Sequence, residues 1–141
     1  MSDPAIAITT MNHDFGGPPI LRSVDLTIPR GTIFGVLGRN GGGKTTLIRM
    51  LLGMIRPRAG QCRVLGLDPA RDALAIRRQV GYVPQESDID PWMRVGEALD
   101  FVAGFYPERW LADQLVVWLD RFELDRRQPV SELSGGQLGR L

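Results

Sequence analysis

The run Gly38-Arg39-Asn40-Gly41-Gly42-Gly43-Lys44-Thr45 fits the pattern G-x-x-x-x-G-K-[ST], and no other stretch constrains the fold as tightly. A loop of this kind closes around phosphate groups. Its backbone N–H donors converge on anionic oxygens, and glycine lets the chain curl tightly enough to do so. A lysine then meets the outer phosphates as a point charge, and a hydroxyl ligates Mg²⁺. Lys44 is the only lysine in the sequence, every other basic chain being arginine apart from His13. The plain alternative is a glycine-rich surface turn before a helix that begins Lys-Thr-Thr, and the flanks argue against it.

Before the loop, Thr32-Ile33-Phe34-Gly35-Val36-Leu37 is a short apolar run that predicts a buried parallel strand. After it, Leu47, Met50, Leu51 and Met54 recur at helical spacing, with Gly53 and Pro57 as stop signals. Strand, glycine loop and helix place the phosphates at a helix N-terminus, where unpaired N–H groups and the helix dipole favour negative charge. Nucleotide binding is the expectation.

Two further strands are predicted at Ala5–Thr10 and Leu21–Ile28, separated by the turn-forming Gly16-Gly17-Pro18-Pro19. In the second, Leu21, Val24, Leu26 and Ile28 alternate imperfectly around Asp25. Gly60–Gly66 reads as another strand, and Pro69 is placed to open a helix through about Gln79. Val80-Gly81-Tyr82-Val83 reads as a short buried strand ending at Pro84 and Gln85. Helical spacing returns in Ala98, Phe101, Val102 and Phe105, and in Leu111, Leu115, Trp118, Leu119 and Phe122. The aromatics among these are read as core rather than as a cofactor pocket.

At 141 residues, 43% hydrophobic and 23% charged, the chain has the composition of a globular domain. A net charge of +1 with scattered arginines gives no case for nucleic-acid binding. Arg77-Arg78 and Arg126-Arg127 read as solvated faces or subunit contacts. Cys62 is the only cysteine, which excludes an internal disulfide and reads as a small buried hydrophobe. No run is long and apolar enough for a bilayer, and the N-terminus has no secretory pattern, so a cytoplasmic location is expected, with any membrane role through a partner.

Leu133-Ser134-Gly135-Gly136-Gln137 is a second glycine motif at the predicted start of a helix. With it the chain resembles the ATP-binding cassette (ABC) ATPases, whose signature is LSGGQ, and the resemblance runs over the whole chain in family order. It implies an α/β P-loop NTPase fold of the ABC type, with an N-terminal antiparallel β region and a helical signature subdomain. Residues 1–141 are then one partial cassette: 1–86 the nucleotide-binding core with its β region, 87–141 the helical subdomain. The cofactors implied are ATP and Mg²⁺. ATP would be held by Gly38, Arg39, Asn40, Gly41, Gly42, Gly43, Lys44, Thr45 and Thr46. Phe15 falls where members carry an aromatic that stacks on adenine, although a core aromatic beside a hairpin turn is equally consistent with the residue. Gln85 corresponds to the family glutamine that touches the metal or the attacking water, so Lys44 and Gln85 are the catalytic candidates and Thr45 and Gln85 the metal ligands. The signature residues Leu133 to Gln137 would act in trans, across the ATP of a second cassette.

The same resemblance implies a separate integral membrane permease as partner and a place at the inner face of the membrane. Leu52-Gly53-Met54-Ile55-Arg56-Pro57-Arg58-Ala59-Gly60, the Gly66-Leu67-Asp68-Pro69 turn and Phe105-Tyr106-Pro107 look like bacterial drug- or lipid-export cassettes. Departures from the pattern are Gly42, where members carry alanine or serine, and Gly139, which weakens the helix after the signature by about 1 kcal/mol. The family's metal-backing aspartate, catalytic glutamate and switch histidine fall after Leu141, and His13 stands too early to be that histidine. Residues 1–141 by themselves are therefore expected to hydrolyse ATP poorly. Two other classes stay open: a non-catalytic cassette remnant, and a soluble cassette ATPase acting on ribosomes or DNA.

Overall fold

β1 (Ile6–His13), β2 (Leu21–Ile28) and β3 (Ala59–Val64) form an antiparallel sheet in the order β2-β1-β3. The structure is a computed structural model that describes residues 3–85, 89–106 and 112–141. It divides into two compact units, residues 1–81 and 82–141.

In the first unit the pairing of β1 with β2 slips and recovers. Ile6 faces Ile28 and Ile8 faces Leu26; then Met11 faces Val24, and His13 returns to register opposite Leu21. Thr10 and Ser23, at φ 46° and 44°, are the extra residues, one in each strand. Each extra residue takes an N–H out of the ladder, and a side chain of the other strand accepts it. Thr10 N–H donates to Asp25 Oδ1 at 2.8 Å, and Ser23 N–H donates to Asn12 Oδ1 at 2.8 Å. The broken alternation around Asp25 is this pair of bulges.

β3 meets the same bulge from the other side, its register slipping between Thr9 opposite Gln61 and Asn12 opposite Ala59. Gly60 stands there at φ 94°, and a Cβ on it would lie 2.5 Å from the Thr10 carbonyl oxygen. One sheet face buries Ile8, Met11 and Leu21 against Leu47 and Met50 of α1 (Lys44–Leu51). Each such side chain contributes about 1.5–3 kcal/mol when fully buried. Cys62 is half-buried at the edge of this core, as a free thiol pushed up to about 11 by burial first and by Asp68 second, with Arg63 opposing.

The helix expected to open at Pro69 starts later, as α2 (Ala73–Arg77). Asp68 takes the intervening residues into a turn: its Oδ1 accepts Ala70 N–H at 2.9 Å, and its carbonyl accepts Arg71 and Asp72 N–H at 3.0 and 2.7 Å. Pro69 belongs to that turn and not to the helix. The expected strands Thr32–Leu37 and Val80–Val83 are also absent. Leu37 is 96% exposed and Val83 78% exposed. A buried parallel strand exists only between partners that take up its N–H and C=O groups, and the described residues form no parallel pair.

The second unit holds α3 (Val95–Gly104), α4 (Ala112–Arg121), a 3-10 turn at Val130–Glu132 and α5 (Gly135–Leu138). Trp110 and Leu111, read as the start of the fourth helix, lie outside the described residues. Val95, Leu119 and Leu124 form the core, with Leu99, Leu115, Phe122 and Leu133 packed on it. The first N–H groups of α3 are satisfied by the segment before the 3-10 turn: Val95 donates to Gln128 O at 3.0 Å and Gly96 to Arg126 O at 2.8 Å. Phe101, Phe105 and Trp118, expected in the core, are exposed. The two phenylalanines meet perpendicular to each other, 5.2 Å apart, because the smaller Val95, Ala98 and Leu99 fill the inward face of α3.

Gly60→Ala should destabilise the first unit by more than about 1 kcal/mol, since it combines a disfavoured φ with backbone overlap. Urea unfolding of the full-length protein should record a lower midpoint at unchanged slope. An unaltered midpoint would mean that the β1–β3 bulge relaxes freely.

Candidate functional site

Gly43 is the pivot of the predicted phosphate loop. It is buried at φ 85° as the N-cap of α1, and a Cβ there would lie 2.8 Å from Ile20 Cγ2 and 2.9 Å from Leu21 Cδ2. Only glycine meets both conditions. The loop closes before it: Gly42 N–H donates to Arg39 O at 3.0 Å, and Lys44 Nζ donates to Gly38 O at 2.6 Å and Arg39 O at 2.8 Å. A Cβ at Gly42 would approach Arg39 O to 2.9 Å, so glycine here fits this turn more easily than the alanine or serine of the family pattern.

The start of α1 is open to an anion. The first-turn N–H groups of Lys44, Thr45 and Thr46 have no intrahelical acceptor, the N-cap supplies no side-chain bond, and the first turn carries no acidic residue. Thr45 is exposed and Thr46 half-buried, while Gly38, Arg39, Asn40, Gly41 and Gly42 are exposed. A concave set of donors at a helix N-terminus beside an ammonium suits phosphate.

Phe15 lies in the β1–β2 hairpin, 63% exposed, so it is not a core residue. Its ring stands perpendicular to that of His13, with centroids 4.6 Å apart. His13 is buried, and neither ring nitrogen has a hydrogen-bond partner. An unsatisfied buried polar group of this kind costs about 1–3 kcal/mol. The far end of the hairpin, Ile20 and Leu21, is the surface against which Gly43 sits.

Gln85 and the second glycine motif belong to the other unit. Gln85 is exposed and lines a cavity of about 710 Å³ together with Val83, Phe101, Val102, Gly135 and Leu138. Leu133 anchors the motif in the core of this unit. Ser134 is the N-cap of α5, and Gln137 closes a capping box with it: Gln137 N–H donates to Ser134 Oγ at 3.2 Å, and Ser134 N–H donates to Gln137 Oε1 at 3.0 Å. Gln137 Nε2 also donates to Glu123 O at 3.1 Å. A side chain at Gly135 or Gly136 would meet open space. The helix ends at Gly139 after a single turn.

The sequence named Gln137, Gly38 and Arg39 as site residues but not the roles they play here, and it gave His13 no role. Gln137 holds the motif's shape, and the S-x-x-Q capping pattern was there to be read. The carbonyls of Gly38 and Arg39 hold Lys44, and His13 abuts Phe15; neither leaves a local signal. Among the described residues there is no group of acidic, cysteine or histidine side chains able to hold a metal, and no helix long and apolar enough to cross a membrane.

Residues 21–141 match the family model described as ABC transporter. The chain is 37% identical to the daunorubicin resistance ATP-binding protein DrrA3 of Streptomyces coeruleorubidus, over 100% of this chain and 46% of that protein. It is 33% identical to the Nod factor export ATP-binding protein I of Ralstonia nicotianae, over 99% of this chain and 45% of that protein. The chain thus spans about half the length of the curated relatives it matches. Among solved structures, an ATP-binding subunit of an ABC transporter superposes with a TM-score of 0.80 at 22% identity, covering 96% of this chain and 59% of that one. CbiO1 of Clostridium perfringens, part of the complex cbiONQ, gives 0.75 at 24% identity, over 99% and 59%. At these identities the structures speak for the fold alone: an ABC-type α/β cassette.

Gln137→Ala should loosen the second glycine motif by removing the acceptor for Ser134 N–H and the donor to Glu123 O. Losing a cap costs about 1 kcal/mol, so hydrogen exchange at residues 134–138 should quicken several-fold with other amides unchanged. No change in exchange would show that backbone packing alone holds the motif.

Proposed function

We propose that this chain, which belongs to the ABC transporter family, is the nucleotide-binding part of a transport cassette that couples ATP binding and hydrolysis to export through a separate membrane subunit. The observation that carries the reading is the closed glycine loop, with Lys44 Nζ on the Gly38 and Arg39 carbonyls at the open start of α1. An ammonium has three donors; two are engaged by those carbonyls, and the third is available to a phosphate oxygen. The N–H groups of the first turn take the remaining phosphate oxygens.

Thr45, exposed at the start of α1, offers a hydroxyl, a hard oxygen donor of the kind Mg²⁺ accepts; the part of Gln85, in the other unit, rests on the family resemblance alone. Mg²⁺ held there would supply charge neutralisation for phosphoryl transfer. Phe15, exposed on its hairpin, presents a ring face for adenine. Ser134, Gly135 and Gly136 stand exposed at the start of α5, suited to meeting the γ-phosphate bound by a second cassette.

Export is the direction named for the Nod factor relative, and CbiO1 is described as part of a transporter complex. On this reading coupling needs a membrane-embedded partner, and the cassette works at the cytoplasmic face of the membrane. Trp92, 89% exposed, and the Phe101–Phe105 pair give the second unit an apolar surface for it.

In the full-length protein, Lys44→Ala should weaken ATP binding at least about tenfold, the loss of one charge-assisted hydrogen bond of about 1.5–3 kcal/mol. Titration with a fluorescent ATP analogue checks this, with circular dichroism to establish folding. Undiminished binding by a folded variant would falsify the assignment of the loop. Trp92→Glu should leave the isolated protein's melting temperature unaltered yet abolish co-purification with the membrane subunit; normal assembly would remove this surface from the interface.

A further inference from the structure

We propose that His13 is a positioning residue for nucleotide recognition: its buried ring fixes the angle at which Phe15 presents itself to the base. The proposal rests on the reading of Phe15 as the base-stacking aromatic and adds to it the group that holds that ring in place.

His13 is the last residue of β1. It faces Leu21 across the sheet, and its carbonyl accepts Ile20 N–H at 2.9 Å, so its backbone is fixed by the ladder on the threshold of the hairpin loop. Two residues on, Phe15 belongs to the loop. The loop backbone has its own restraints: Asp14 Oδ1 accepts Gly16 N–H at 2.9 Å, and Arg58 approaches the same oxygen at 3.7 Å. Those bonds set where the Cα of Phe15 stands. They leave its side-chain torsions to whatever the ring touches, and the ring it touches is that of His13, at 4.6 Å and an interplanar angle of 88°.

The imidazole is an expensive way to fill the space. It is only 6% exposed, and both nitrogens are buried without a partner. An aliphatic side chain would occupy the position without that penalty. What an aliphatic side chain lacks is a flat ring with a polarised edge and face, the property that makes perpendicular aromatic contacts directional. The unsatisfied nitrogens are therefore explained by what the ring does for Phe15.

The placement matters because Ile20 and Leu21, at the other end of the same hairpin, abut Gly43 at the start of α1. The hairpin that carries Phe15 therefore stands beside any phosphate held at that helix start. A Phe15 free to rotate would lose rotamer freedom on stacking, whereas one already oriented does not; the gain is preorganisation.

The test compares ATP with inorganic tripolyphosphate, which carries the phosphates and no base, as ligands of the full-length protein and its variants. His13→Leu should weaken ATP roughly two- to tenfold, the range of one perpendicular ring contact, and leave tripolyphosphate affinity unchanged. His13→Phe should restore ATP affinity. In a Phe15→Ala background, His13→Leu should have no further effect. Equal losses for both ligands would reduce His13 to a structural role and overturn the proposal, as would full ATP affinity in His13→Leu or an undiminished loss in the Phe15→Ala background. If His13→Leu fails to fold, His13→Met, whose flexible side chain fills irregular space, takes its place with the same outcomes. Phe15→Ala separates the two layers. If it leaves the preference for ATP over tripolyphosphate intact, the stacking role of Phe15 falls; if it lowers that preference while His13→Leu leaves it undiminished, only the role of His13 falls.

Discussion

The contact between Gly43 and the Ile20–Leu21 step is the constraint from which the first unit's geometry follows. Leu21 belongs to the same buried cluster as Leu47 and Met50, so the helix cannot bury its apolar face without bringing its own first residues to the end of the β1–β2 hairpin. A side chain at position 43 would hold them apart. The loop that curls from Gly38 to Lys44 is thereby attached to the core at one end and closed on itself at the other by the Lys44 ammonium. Substitutions in the core at Leu21 or Leu47 are thus felt in the loop, because one packing surface serves both.

The two glycine motifs solve the same problem by different means. Each opens a helix whose first N–H groups have no intrahelical acceptor. At α1 those groups are left without a cap, and the nearest cation is tied back to loop carbonyls, which leaves a donor-rich hollow. At α5 the serine and glutamine cap each other, so the backbone is rigid before any ligand arrives, and Glu123 O ties the glutamine to the end of α4. The first arrangement suits enclosing an anion; the second suits presenting a fixed face to one held elsewhere.

What could be read from the sequence was what local chemistry decides. The Gly38–Thr45 pattern, the helix that follows it, and β2 at Leu21–Ile28 were legible because turn geometry, capping and alternation are written in neighbouring residues. β1 runs on to His13, three residues past its expected end at Thr10, because the bulge there is sustained by Asp25 on another strand. The predicted strands at Thr32–Leu37 and Val80–Val83 failed for the complementary reason: an apolar run becomes a strand only when partners take its backbone groups, and no residue within the run declares them. Pro69 opens a turn capped by the Asp68 carboxylate and carbonyl, and that turn ends before α2 begins at Ala73. In the candidate site, the sequence motif points to Lys44 as the cation of the loop, whereas the carbonyls that hold it and the ring beside Phe15 depend on tertiary proximity.

The single lysine in an otherwise arginine-based chain has a geometric cause in this loop. Arginine presents its donors from three nitrogens in one plane, well matched to a carboxylate or an exposed phosphate but unable to aim three bonds from a single atom. The position at 44 calls for divergence: Nζ reaches back to two carbonyls, on Gly38 and Arg39, separated by one peptide unit, and on the proposed function must still face outward to a phosphate. A tetrahedral ammonium meets all three directions from one atom. A guanidinium making the same two backward bonds would carry its plane into the tightly curled loop, close to the Arg39–Gly42 turn. Composition elsewhere is free to favour arginine, because the salt bridges of Arg58 with Asp14 and of Arg126 with Asp100 ask for no more than one outward direction. The loop suits lysine because one atom holds its backbone and, on the proposed function, meets the phosphate as well.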